Sequence, residues 1–201
     1  MNDSFAGFPK HVCKSEVSTF SGLPKVGQYD NLLTAPPFKY RAMDAATQVT
    51  NQIYIGPLSV ARDRKELKRL EVSAVVCAAA EGRCFFPDEF DYWEAPQLAE
   101  HSCDIIDILD LMKDLWDFCE PRLQKGEKLF FHCVHGRTRS ATMLVYILSK
   151  GSKKRVLETY EIIRAKRDVF IPEPWLQAMQ AKLSQHESLP IRDSTAVHPS
   201  S

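Results

Sequence analysis

Between two apolar runs, Lys128-Leu129-Phe130-Phe131 and Ala141 to Leu148, the chain places His132-Cys133-Val134-His135-Gly136-Arg137-Thr138-Arg139-Ser140. The first run has the character of a buried strand and the second that of a helix, so the segment between them must turn strand into helix within one tight loop. Such a loop can curl until successive backbone N–H groups converge on a single anion, with the positive end of the helix beneath it. Val134, His135, Gly136, Arg137 and Thr138 are the candidate cradle, contributing backbone amides, while the side chains of His135 and Arg137 are expected on the rim, where they favour acidic groups near a bound phosphate. Arg139 closes a Cys-x5-Arg spacing. Its planar fork of donors can hold two phosphoryl oxygens at once, a geometry Lys does not offer. Cys133, in electropositive surroundings, is expected to rest as a thiolate and act as nucleophile. Ser140 can donate a hydrogen bond to the sulfur and stabilise it as a leaving group, and His132 is expected to hold the shape of the loop.

Read residue by residue, this segment resembles the His-Cys-x5-Arg-Ser signature of the protein tyrosine phosphatase superfamily in its dual-specificity form. The resemblance spans roughly residues 49 to 185 and includes Ile53-Tyr54-Ile55-Gly56, the Val75-Val76 strand and the Arg164-x2-Arg167 helix end. It implies hydrolysis of phosphotyrosine and phosphoserine or phosphothreonine in proteins through a phosphocysteine on Cys133, with Arg139 and the loop amides binding the phosphoryl group and with no metal or cofactor. It also implies an Asp on a mobile upstream loop, which protonates the leaving oxygen and later activates water. Counting back from Cys133 puts that residue between Glu100 and Asp104, whereas counting forward from Tyr92-x3-Pro96 puts it at Ala99 or Glu100. Asp104 has the right residue type and is taken as the acid, with Glu100 as the competitor. Asp104 also reads as the N-cap of a helix, because it immediately precedes Ile105-Ile106. If neither serves, a slow enzyme or a phosphatase-like binding module remains. Cys-x-His-Gly is also similar to the loop of cysteine-based RNA 5′-triphosphatases, although Ser140-Ala141 follows the Arg where those have Thr-Gly; phosphoinositides are a further alternative substrate.

The rest of the chain reads as an α/β protein with a central, mostly parallel sheet, helices on both faces and the site at the carboxyl ends of the strands. Strands are expected over residues 49–56, 72–80 and 90–94, ahead of the cradle strand. Helices are expected from Ser59 to Leu70, from Asp104 to an end at Gly126 with Pro121 breaking or kinking it, from the cradle to Gly151, from a Ser152 cap to Arg167, and from Trp175 to Gln185. In the helix after Ser152, Val156, Leu157, Tyr160 and Ile163 form the expected inner stripe. The Pro-bearing residues 1–47 read as an irregular arm, 48–187 as the catalytic domain and 188–201 as a polar tail.

Lys and Arg number 26 and so do Asp and Glu, so no global field draws the chain to nucleic acid or an anionic membrane. Arg62, Arg64, Lys65, Lys68 and Arg69 form a basic helix face without interleaved aromatics, read as a solvated surface. No apolar run reaches the length of a membrane span. The six cysteines are scattered, with no Cys/His group at metal-ligand spacing. A cytoplasmic monomer acting on phosphorylated proteins is expected. Cys77, at the end of a buried strand beside the cradle, is a candidate to pair with Cys133 under oxidation.

Overall fold

The structure is a computed structural model that describes residues 44–99 and 103–187, with the side chains of the last two helical residues left aside. The expected arm, up to residue 43, and the tail from residue 188 lie outside the described residues.

Five strands form one sheet: β1 (Thr47–Gln48), β2 (Ile53–Gly56), β3 (Ala74–Cys77), β4 (Asp91–Glu94) and β5 (Leu129–His132). Their order is β1-β2-β5-β3-β4. All pairs are parallel except β1 with β2. Side chains alternate between the two faces, as a pleated strand requires. Ile53, Ile55, Ala74, Val76, Leu129 and Phe131 enter the larger core, beneath α3 (Ile105–Gln124), α4 (Arg139–Ser152), α5 (Val156–Arg164) and α6 (Glu173–Glu187). Tyr54, Val75 and Phe130 enter a smaller core against α1 (Leu58–Ala61) and α2 (Arg64–Arg69). The three central strands are buried at every position, as strands covered on both faces are.

Several boundaries differ from the sequence reading. The expected strand over residues 49–56 is a hairpin turn followed by β2, because Val49 N–H folds back to the Ile53 carbonyl at 2.8 Å. The helix expected from Ser59 is two short helices. Asp63 interrupts it by capping α2, its carboxylate accepting from the N–H groups of Lys65 and Glu66. Pro121 lies inside α3, which runs on to Gln124. The carbonyl deprived of its helical donor belongs to Asp117, an exposed residue that water can serve. Gly151 does not stop α4. The helix ends past it, at Lys153 in a left-handed conformation with φ 55°. Ser152 is not a cap either, since its hydroxyl donates back to the Leu148 carbonyl at 2.6 Å. Leu157 is 54% exposed, leaving Val156, Tyr160 and Ile163 as the inner stripe of α5.

The basic face of α1 and α2 is largely paired within the protein. Arg64 and Lys68 both meet Glu89, and Arg69 meets Glu66 at 2.7 Å. Among the described residues no helix is long and apolar enough to cross a membrane.

Parallel pairing puts Gly56, His132, Cys77 and Glu94 in one row at the carboxyl ends of four strands. The loops leaving β2, β3 and β5 therefore meet at one edge, with β5 in the middle.

Candidate active site

Cys133 follows the last residue of β5 and is buried, 3% exposed. Gly136 N–H donates to its sulfur at 3.2 Å and the Ser140 hydroxyl donates at 3.3 Å. Burial would push the thiol up. Against it act the Ser140 hydroxyl and N–H, the charge of Arg139 and the Arg137 N–H, and together they hold the thiol below its ordinary value. Cys77 and Cys103 show what happens without such donors, for burial pushes each of them up to about 12. Of these three buried thiols, Cys133 is the one its surroundings favour as thiolate. Cys77 ends β3 beside His132 and points its thiol at the Ala79 carbonyl, 3.6 Å away. It packs so closely on Gly82 that an added Cβ there would sit 2.1 Å from its sulfur.

The loop closes around Gly136, which has a φ of +66°. A Cβ at this position would lie 2.4 Å from the Gly56 carbonyl oxygen. Left-handed backbone and close approach both demand glycine. Thr138 is the N-cap of α4 and makes no side-chain cap bond, so its hydroxyl does not compete for the first-turn amides, of which Ser140 N–H is turned to the Cys133 sulfur. Val134 is partly buried. His135 is exposed and Arg137 partly exposed at the rim, as expected. Arg137 is paired at 2.8 Å with Asp168, so its charge is already engaged.

Arg139 is buried at the start of α4, where its Nη1 donates to the Glu81 carboxylate at 2.7 Å and to the Leu98 carbonyl at 2.6 Å. These partners, from the loops after β3 and β4, fix the plane of the guanidinium. Neither was legible in the sequence. Glu81 has a recognisable signal only in retrospect, as an acid just beyond a buried strand end. Arg167 is a second omission, buried against the cradle from the loop after α5.

His132 is fully buried with its ring stacked on Phe130 at 5.8 Å and its Nδ1 3.4 Å from the Cys133 carbonyl. Burial, reinforced by the Arg139 charge and only partly offset by the Cys133 carbonyl, pushes it down to about 4. The unfolded chain takes up this proton near pH 6.5 and the folded one only near 4, so stability is lost as pH falls between them. About 3 kcal/mol is at stake over that interval. Urea unfolding at pH 7 and pH 4.5 checks this, with His132→Asn expected to flatten the difference.

Asp104 is the N-cap of α3. Its carboxylate accepts from Ile105 N–H, and Asp107 returns the bond to Asp104 N–H at 3.1 Å. Its neighbour Cys103 feels the charges of both Arg139 and Cys133, which places the start of α3 beside the cradle. Glu100 lies outside the described residues.

Residues 53–187 match the family described as dual specificity phosphatase, catalytic domain. The chain belongs to this family. Within it, the chain is 23% identical over 133 residues to dual specificity protein phosphatase 1 of Arabidopsis thaliana, covering 66% of each chain. It is 25% identical over 132 residues to human protein phosphatase Slingshot homolog 2, covering 66% of this chain and 9% of that one. The chain thus spans only part of the length of these curated relatives. The crystal structure of human DUSP28 superposes with a TM-score of 0.62 at 16% identity, covering 72% of this chain and 95% of that one.

Proposed function

We propose that this dual specificity phosphatase family member hydrolyses phosphotyrosine and phosphoserine or phosphothreonine in proteins. One observation supports this reading above the others: a buried sulfur that receives donors from Gly136, Arg137 and Ser140 beside the Arg139 guanidinium. An ordinary core thiol has no use for that set, whereas a nucleophile aimed at phosphorus does.

The Cys133 thiolate attacks phosphorus in line with the ester oxygen. The S–P bond forms as the P–O bond to the alcohol or phenol breaks, and the departing oxygen takes a proton from a carboxyl group. The loop amides and Arg139 hold the equatorial oxygens, where the transition state carries its charge. Water then attacks phosphorus, the same carboxylate accepts its proton, and the S–P electron pair returns to sulfur. The Ser140 hydroxyl stabilises the thiolate as it leaves. Pairing of Arg137 with Asp168 removes a free cation from the rim. That favours a single phosphomonoester on a protein over a phosphoinositide or a triphosphate-ended RNA. A thiolate of this kind is most durable in a reducing compartment such as the cytoplasm.

Asp104 is proposed as the acid. Asp104→Asn keeps a good cap, since Asn and Asp serve about equally there, so a loss of rate would report chemistry rather than folding. Its expected effect is about a 100-fold or greater fall in kcat/KM on a phosphotyrosine peptide, with a much smaller fall in kcat/KM on p-nitrophenyl phosphate, whose leaving group needs no proton. A loss confined to Glu100→Gln would move the role to Glu100. The same panel, extended to phosphoserine peptides, phosphoinositides and RNA ends, tests the substrate class. No phosphate released by wild type from any of them would leave a binding module in place of an enzyme.

A further inference from the structure

Four consecutive cradle carbonyls are turned away from Cys133 by donors outside the loop. Val134 O accepts from Leu58 N–H at 3.0 Å, and Arg137 O accepts from Phe170 N–H at 3.1 Å. The two between them, His135 O and Gly136 O, accept from one side chain: Arg167, through Nη2 at 3.1 Å and Nε at 2.9 Å. A trans peptide unit points its C=O and the following N–H in opposite directions. Holding the carbonyls of residues 134 to 137 outward therefore turns the amides of residues 135 to 138 inward. The Gly136 and Arg137 amides, which follow the two carbonyls bound by Arg167, are among the groups that donate to the Cys133 sulfur.

Arg167 reaches beyond the cradle as well. Its Nη1 donates to the Ala45 carbonyl at 2.9 Å and to the Thr47 hydroxyl at 3.1 Å. Arg167 is 4% exposed, its guanidinium hydrogen-bonded to two segments far apart in sequence. Only a planar fork with several donors can serve His135, Gly136, Ala45 and Thr47 together.

We infer that Arg167 is a positioning residue for the phosphatase reaction, orienting the cradle amides toward sulfur and phosphoryl group from behind the loop while touching neither. This rests on the phosphatase reading for its consequence in turnover, but the orientation of the amides is measurable without substrate.

The test compares wild type, Arg167→Met, Arg167→Lys and Lys166→Met in the full chain. Lys166 tethers the same loop to the Val49 carbonyl at 2.6 Å without touching the cradle, so its variant controls for loosening of the loop. The readouts are the pH dependence of Cys133 alkylation by iodoacetamide, followed by mass spectrometry, and kcat and KM on p-nitrophenyl phosphate. Arg167→Met is expected to raise the alkylation midpoint by about one pH unit, because donors to the thiolate are lost. It is expected to lower kcat at least about tenfold, since an ångström of misplacement can cost about a hundredfold. Arg167→Lys keeps the charge but cannot bridge both carbonyls, and an intermediate midpoint is expected. Lys166→Met should match wild type in both readouts.

A folded Arg167→Met with an unmoved midpoint overturns the inference. So does an Arg167→Lys indistinguishable from wild type, which would make charge alone the contribution; this second comparison decides if the Met variant does not fold. A raised midpoint shared equally by Lys166→Met would reduce Arg167 to loop anchoring and also overturn it. If wild type releases no phosphate yet its thiol responds to these substitutions as expected, the phosphatase reading fails and the positioning role stands.

Discussion

Cys133→Ser is expected to reduce hydrolysis of aryl phosphates and phosphopeptides by between about 10⁴-fold and 10⁶-fold, the scale on which loss of a covalent nucleophile acts. The pocket lowers the thiol through Ser140, Arg139 and Arg137. A serine hydroxyl begins so much higher that the same donors leave it protonated at neutral pH. Because Arg139 and the loop amides are untouched, the variant should still bind a phosphotyrosine peptide. Wild type should show a burst of phenol on mixing and the variant none. Residual turnover within about tenfold of wild type, on the same scale of reasoning, would point to another nucleophile and sink the mechanism.

Gly136→Ala is expected to destabilise the fold by about 2–5 kcal/mol, combining left-handed backbone strain with an overpacked contact. The new methyl would have to displace backbone, for its nearest neighbours are the Gly56 carbonyl oxygen at 2.4 Å and carbon at 2.5 Å. β2 cannot yield easily, being hydrogen-bonded along its length to β5. The loop must move instead, carrying the Gly136 amide off the sulfur and crowding the Arg167 Nη2, which an ideal Cβ approaches to 3.0 Å. A midpoint drop in urea, accompanied by a raised alkylation midpoint of Cys133, would report both effects. A variant as stable as wild type would show that the loop relaxes at no cost.

These two outcomes depend on different kinds of information. The proposed nucleophile and anion cradle are legible from Cys133 to Ser140 because everything they require is local: the spacing of sulfur and guanidinium, a glycine at the turn, a strand before and a helix after. The mostly parallel sheet was legible because strands alternate with helices along the chain, and the apolar runs Ala74–Cys77 and Leu129–Phe131 suit strands covered on both faces. Boundaries were less so. Ser152 reads as a cap and Asp63 as a mid-helix residue, yet Asp63 is the one that caps, because a hydroxyl on the last turn of a helix can also satisfy itself on the carbonyl four residues back. Leu157 fits the inner stripe by spacing and nevertheless faces outward, since the helix buries only the side that α4 and α6 leave open to it.

Residues 132–140 are enough to propose the chemistry: a sulfur and a guanidinium at Cys-x5-Arg spacing, with strand passing into helix between them. The state of those groups is set by contacts made in the folded chain. Arg137 is engaged by Asp168, Arg139 is oriented by Glu81 and the Leu98 carbonyl, Asp104 caps a helix beside the cradle, and Arg167 turns two peptide units so that their amides face the sulfur. Each of these is a polar contact whose partner stands in another part of the chain or is chosen by packing. Hydrophobic periodicity records which side of an element is buried, but a hydrogen bond between distant residues leaves no periodic trace.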